Sequence, residues 1–376
     1  MARRVVIVGG GLMGLSAAFH LRRGDAGARV TVWERDRVGA AASGASAAGV
    51  RAMGRARAER PLALASLARW PELDRELEAP TGYRRGGGLR AALDAAAWEA
   101  APAWVAEQRA DGVPVELLDA ATARTLAPGI ALSCAGGVYC AIDGQAGAMA
   151  TVRAFAAAAK RVGARVEEGV VASRLAVERG RVAAVERADG GREGCDVAIV
   201  TGGAWTGALL ADAGVKLPIE TRALQMLLTE PAPAALSLVV SAFDRQLSLK
   251  QLDDGAYLIG GGWPARIADH AANRHEVLEE SVKGSLETAR AVYPALTGRT
   301  LARRWAGLEA FTPDDLPVIG PVPGVEGLLI ATGFSGHGFA LSPVVGDLLA
   351  RHASGRAAEL GSGLTFRHFA TANVGM

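Results

Sequence analysis

Cysteine, lysine, aromatic residues and long apolar runs are all scarce in this chain, and each scarcity removes a class of function. The three cysteines, Cys134, Cys140 and Cys195, are odd in number and lack metal-ligand spacing, which excludes a disulfide framework and a thiolate metal site. Only four lysines occur (Lys160, Lys216, Lys250, Lys283), so 37 of the 41 basic residues are arginine, balanced by 39 acids to a net charge of +2. That balance points to no nucleic acid and no anionic membrane surface as partner. With alanine and glycine abundant, the arginine excess reads as genomic base bias, so no arginine earns a role by frequency. No stretch approaches the roughly 18 continuous apolar residues of a membrane span. The N-terminal apolar run is one strand long and enters a glycine turn directly, unlike a signal peptide. The expectation is a cytoplasmic protein without a membrane segment. Internal repeats, low-complexity linkers and nucleophile–base pairs are also missing.

What is present begins at Val5-Val6-Ile7-Val8-Gly9-Gly10-Gly11-Leu12-Met13-Gly14. The apolar run predicts a buried parallel strand, and Gly9 permits the tight turn out of it. Gly11 lets backbone amides approach a pyrophosphate, and Gly14 lets the following helix pack against the sheet. Phosphates would then meet helix N-terminal amides, with Leu12 and Met13 in the first turn. A second strand, Val30-Thr31-Val32-Trp33, ends in Glu34, twenty residues after Gly14, where a carboxylate can accept hydrogen bonds from ribose hydroxyls. Together these predict a βαβ unit holding an adenine dinucleotide.

At 376 residues, half of them hydrophobic, the chain exceeds one ordinary domain. Residues 38–51 are rich in small residues and read as irregular backbone able to approach something flat. Helical spacing covers 61–77, a helix from Asp94 runs to about Ala110 between short strands at 84–93 and 113–118, and 144–162 is a strong helix. Short strands with turns at Arg179-Gly180 and Asp189-Gly190-Gly191 fill 165–200. Val197 to Val200 then enters Thr201-Gly202-Gly203-Ala204-Trp205, a second place for backbone to meet the cofactor. From 219 to 308 longer strands predict an antiparallel sheet, with a hairpin at Asp253-Asp254-Gly255 and one helix over 277–292. A buried strand at 328–331, the segment Thr332 to Phe339 and a helix over 343–352 close the chain. The architectures interleave, giving an α/β fold with discontinuous domains.

Three dispersed pieces in this order resemble the glycine oxidase/sarcosine oxidase branch of the D-amino acid oxidase superfamily. They are the Gly9–Glu34 unit, Thr201 to Trp205, and the block from Trp305 through Gly320 into Gly333-Phe334-Ser335-Gly336-His337-Gly338-Phe339. Asp143-Gly144 also resembles the family pattern. The resemblance implies a Rossmann-like, glutathione-reductase-type FAD-binding domain (1–83, 140–215 and 310–376) interleaved with an antiparallel-sheet substrate domain (84–139 and 216–309). It implies that Glu34 and Arg35 meet the adenosine ribose, that the Val171 backbone meets adenine, and that Ala42 and Ser43 lie near the pyrophosphate or the ribityl chain. Ser46, Gly49, Val50 and Arg51 would run along the flavin, with Gly336 to Ala340 at its pyrimidine end. There His337 and the helix amides supply the positive charge that a reduced flavin needs. Gly307 stands where relatives that bind flavin covalently carry cysteine, so FAD would be held non-covalently.

The implied reaction moves a hydride equivalent from the carbon beside an amine to the flavin, and the imine then hydrolyses. Such a site must orient a C–H bond in a dry pocket, with no dedicated base strictly required. The departures concern the substrate. Glu309 replaces the arginine that follows Gly-Leu in glycine oxidases, and Ala340 replaces the lysine of monomeric sarcosine oxidases. Both usual carboxylate anchors are missing. Either Arg51 or Lys250 holds an amino-acid carboxylate, or Glu309 receives a cationic part of a larger amine. The leading expectation is an FAD-dependent oxidase or dehydrogenase of a secondary amine or N-substituted glycine-like amino acid, reoxidised by O2 or another acceptor. Three alternatives stand beside it: a catalytic subunit of a hetero-oligomeric dehydrogenase passing electrons to a partner subunit, a flavoprotein without turnover, and an NAD-dependent dehydrogenase.

Overall fold

The run Val5 to Val8 has apolar side chains on both faces, so it lies at the centre of a sheet covered on both sides. In the computed structural model, which describes residues 2–356 and 364–365, this strand (Arg4–Val8) is central in a six-stranded sheet. Its order is Val318–Pro321, Leu328–Thr332, Val197–Val200, Arg4–Val8, Arg29–Glu34, Arg165–Glu168. All pairs are parallel except the first. Helices Leu12–Gly24, Ala148–Arg161 and Gly338–Ala353 pack together on one face, with Leu15, Phe19, Phe155, Leu341 and Val345 fully or nearly fully buried. A three-stranded antiparallel sheet, Ala172–Glu178, Arg181–Arg187 and Arg192–Gly194, turns at Arg179-Gly180 and Asp189-Gly190-Gly191 as expected.

Residues 88–140 and 220–311 form a second, larger sheet against which helix Glu279–Val292 packs. Its core of Leu89, Leu227, Val240, Leu249 and Ile259 lies on one face, because strand side chains alternate. The opposite face carries Met226, Gly260, Ser248, Ser241 and Arg90 in register across neighbouring strands. The Asp253-Asp254-Gly255 hairpin joins Ser248–Gln251 to Tyr257–Gly260, with Gly255 at φ 88°. Two sheets from interleaved stretches are the α/β arrangement the sequence predicts.

Local differences have identifiable causes. The larger sheet is mixed: Val239–Ala242 runs parallel to Gly88–Ala92, since these strands come from separate parts of the chain and no hairpin fixes their sense. The 38–51 segment is not wholly irregular. Ala42–Ala45 forms a helical turn, and Gly49–Val50 pairs with Gly144–Gln145, which delays the next helix to Ala148. The 61–77 helix is three pieces, Arg60–Arg69, Trp70–Glu72 and Leu73–Leu77, with Pro71 at the break. The last helix starts at Gly338, not Pro343. Pro343 sits inside it because the Ser342 hydroxyl donates to the Phe339 carbonyl (2.9 Å), supplying the donor that proline lacks. The expected domain segment 310–376 extends beyond the description, as 357–363 and 366–376 lie outside the described residues.

Candidate active site

The glycine turn works by close approach. Gly9 has φ 110°, and a β-carbon there would lie 2.5 Å from the Thr201 carbonyl oxygen. A β-carbon at Gly14 would lie 2.0 Å from the Gly9 carbonyl oxygen, so Gly14 sets helix-to-strand packing and does not face the ligand. Glu34 ends its strand with both carboxylate oxygens fixed. Oε2 accepts from the Gly10 N–H (2.7 Å) and Oε1 from the Asp36 N–H (2.9 Å). Burial raises its pKa, and these donors oppose the rise.

Glu34 lines the first of three cavities that share walls. Gly9, Gly11, Arg35, Ala42, Ser43, Val171 and Thr201 to Trp205 complete this one. Arg35 lies over the Trp205 ring, 4.5 Å from its centroid. The second is bounded by Gly11, Leu12, Met13, Ser43, Ser46, Thr201, Gly333, Gly336, Gly338 and Phe339. There Ser43 Oγ accepts from the Leu12 N–H (3.0 Å). The third measures about 830 Å³ and includes Ser46, Gly49, Arg51, Gly307, Glu309, His337 and Phe339. The result is an elongated trough that opens against the polar face of the larger sheet. Its donor set and its glycine-only approaches fit an extended adenine dinucleotide, with a broader chamber at one end. Nearly all the residues singled out from the sequence converge here.

Four do not. Gly14, Val50 and Ala340 are buried behind the walls. Val50 pairs with Gly144, and the Ala340 carbonyl accepts from Ser66 Oγ (2.6 Å) and Trp70 Nε1 (2.9 Å). Lys250, on the same strand face as Ser248, is buried and donates to the Ala146 carbonyl (3.0 Å). Desolvation lowers its pKa to about 7, and it touches none of the three cavities. Of the two expected carboxylate anchors, only Arg51 reaches the chamber. The three cysteines are buried and line none of the cavities.

Charge in the chamber is uneven. Arg51, Arg55 and Arg90 line it, and none has a carboxylate within ion-pair distance among the described residues. Arg51 Nε is buried without a partner, and desolvation lowers its pKa against the pull of Asp143. Arg55 lies behind it, donates through Nε to the Arg51 carbonyl (3.2 Å), and is lowered to about 10 by burial and by Arg51. Glu309 is the chamber's carboxylate. Burial pushes its pKa up to about 7, and its stabilising contact is the Gly336 backbone N–H.

His337 stands at the N-cap of Gly338–Ala353, and its Nδ1 lies 3.1 Å from Oε2 of the fully buried Glu59. Burial lowers the imidazole pKa, Arg55 lowers it further, and Glu59 opposes both. Glu59→Gln is therefore expected to move the His337 titration downward. Following its ring signals through a pH series by NMR checks this, and an unmoved midpoint would remove Glu59 as the group that sets it.

Glu59, Arg55, Arg90 and Asn273 were not legible as site residues. The first two follow the small-residue segment without motif spacing. Arg90 sits in an unremarkable strand, and Asn273 reaches the trough from the loop between Pro264–Asp269 and the edge strand Arg274–Glu276. Among the described residues no group of acidic, histidine or cysteine side chains is placed to hold a metal, and no helix is long and apolar enough to cross a membrane.

The family model described as FAD dependent oxidoreductase matches residues 4–352. A glycine oxidase of Pseudomonas putida is 30% identical over 91% of this chain and 92% of its own length. The solved L-proline dehydrogenase from P. horikoshii superposes with a TM-score of 0.86 at 26% identity, covering 95% of this chain and 94% of that one. The glycine oxidase from Geobacillus kaustophilus gives a TM-score of 0.87 at 24% identity, covering 98% and 100%, a likeness of fold.

Proposed function

The chain belongs to the FAD-dependent oxidoreductase family, and from that premise we propose that it oxidises the C–N bond of an amino acid, preferably one with an N-substituted amine. The carrying observation is the chamber at the end of the dinucleotide trough, where an unpaired guanidinium, Arg51, and a carboxylate, Glu309, share one cavity of about 830 Å³. These are the two groups that complement a carboxylate and an amine on one small molecule.

When bound, FAD supplies the acceptor for the hydride equivalent lost from the carbon beside the amine. Glu34 and Arg35 would hold the adenosine ribose, and the Val171 backbone the adenine. Leu12, Met13 and Ser43 would meet the pyrophosphate. Ser46, Gly49 and Arg51 would border the ring, with Gly336 to Phe339 at its pyrimidine end. Gly307 lines the chamber where covalently flavinylated relatives would carry cysteine, which supports a non-covalent attachment. The two sheets support a division of labour in which 1–83, 140–215 and 310–376 bind FAD and 84–139 and 216–309 bind the substrate.

Arg51, with Arg55 behind it, holds the substrate carboxylate and fixes the orientation of its α-carbon. Glu309 takes the proton of the substrate ammonium, leaving the lone pair free to stabilise the developing positive charge on nitrogen. A carboxyl whose pKa is near 7 suits that transfer at neutral pH. Below pH 7 Glu309 is protonated and cannot accept, so kcat/KM is expected to rise as pH passes through about 7. Glu309→Gln should flatten that limb and leave flavin content intact. An unchanged limb in the variant would exclude Glu309 as the acceptor.

The test of the proposal is an anaerobic screen of simple amines, amino acids and N-alkyl amino acids for bleaching of the flavin band at about 450 nm. Bleaching by N-alkyl amino acids supports it, and a yellow protein that no amine bleaches overturns it. Oxygen uptake by the purified chain alone then decides between O2, giving H2O2, and a partner subunit as electron acceptor.

A further inference from the structure

The chamber carries more positive charge than one carboxylate needs. Arg51 and Arg55 face it from the segment that follows strand Gly49–Val50. Arg90 faces it from the floor, on strand Gly88–Ala92 of the larger sheet. The Arg90 guanidinium is fixed by two rings, 5.3 Å from the Trp104 centroid and 4.9 Å from that of Phe243. Its Nε is buried without a hydrogen-bond partner. The charged group acting on it is Arg51, another cation, and desolvation and that repulsion both lower its pKa. Ser241 is its register neighbour on the same face, and Ser248 follows on the next strand. Both line the chamber.

Two guanidinium groups that repel each other in a desolvated cavity, with neither ion-paired, are a costly arrangement unless an anion enters between them. Arg222 and Arg245, also on the walls, already have partners in Glu220 and Asp244. Arg90 has none. Resting on the amine-oxidation reading above, we propose that the substrate is an amine bearing two acidic groups, the first carboxylate held by Arg51 and the second by Arg90 with Ser241 and Ser248. Packing against Trp104 and Phe243, which meet edge to face at 5.3 Å, limits the directions the guanidinium can take, so Arg90 presents its remaining N–H groups toward the chamber. A single-carboxylate amino acid would leave those groups unpaired, and selectivity arises because the unmatched cation stays desolvated.

The experiment compares N-(carboxymethyl)glycine with its neutral mono-amide, a molecule of nearly the same size, by anaerobic flavin reduction on the FAD-loaded protein. The diacid is expected to reduce the flavin with a kcat/KM about 30-fold or more above the mono-amide, the scale of a charge-assisted pair. Arg90→Gln should collapse that ratio toward one, and Arg90→Lys should restore part of it. Flavin content at about 450 nm reports that each variant still folds. A variant that lowers both rates equally, with the ratio kept, overturns the assignment by making Arg90 structural. Equal reduction by the two compounds in the parent protein overturns the second acidic subsite while amine oxidation stands. Reduction by neither, nor by any amine of the screen, overturns both.

Discussion

Arg51→Gln is expected to lower kcat/KM for an N-substituted amino acid by roughly 30- to 5,000-fold, the span of about 2–5 kcal/mol for removing one member of a buried charge pair. The cause is local. Arg51 lies in the chamber without an ion-pair partner, its Nε unsatisfied, and the alternative anchor Lys250 is directed at the Ala146 carbonyl. Arg55 is tethered through Nε to the Arg51 backbone carbonyl, so its remaining N–H groups offer a partial substitute from a different direction. The loss should fall mainly on carboxylate-bearing substrates. An amine of similar size without a carboxylate, turned over by both proteins, should lose much less. Equal losses for both would make Arg51 a support for the cofactor or the fold and not a substrate anchor. The complementary change, Lys250→Met, should leave KM near the parent value, since Lys250 lines none of the three cavities.

Gly14→Val is expected to give colourless, destabilised protein. Its β-carbon would sit 2.0 Å from the Gly9 carbonyl oxygen and 2.7 Å from Thr201 Oγ1, and the first of these is backbone that cannot rotate away. The helix Leu12–Gly24 would have to leave the sheet, at a cost of about 3 kcal/mol or more, and the Tm should fall by roughly 5–10 °C. Because this displacement also moves the first-turn amides, FAD should be lost together with stability. Gly11→Ala makes the contrast. A β-carbon there meets Ser43 Oγ at 3.0 Å, a side-chain end that can shift by loosening its hydrogen bond from the Leu12 N–H, a far smaller cost than moving backbone. That variant should keep its Tm and lose flavin, because the added methyl occupies the approach to the pyrophosphate. Absorbance at about 450 nm relative to protein, with a thermal melt, separates the two. A yellow Gly14→Val protein with the parent Tm would contradict this helix-to-strand packing.

How much was legible follows the sequence range of each interaction. The Val5–Gly14 and Val30–Glu34 units carry a local pattern, and their strand, turn, helix and acid lie where it puts them, although the close approach that requires Gly9 comes from Thr201, 192 positions away. The Asp253-Asp254-Gly255 hairpin is equally local. Helix starts were less legible where a distant strand intervenes, as Gly49–Val50 does by pairing with Gly144–Gln145. Pro343 misplaced the start of the last helix because a neighbouring serine hydroxyl replaces the missing donor.

That this chain carries a βαβ unit for an adenine dinucleotide follows from its amino acids alone, because glycine placement and strand periodicity act over a few residues, whereas its place among flavin-dependent oxidoreductases rests on the likeness of three dispersed segments to a known family. The substrate chamber exists only in the folded molecule. Glu59 meets His337 across 278 positions of sequence. Arg90 joins Arg51 from another sheet, and Lys250 is withdrawn from the cavity, through contacts no spacing rule encodes. Which cations remain unpaired depends on which carboxylates the fold brings within reach, and that is a property of the packed molecule.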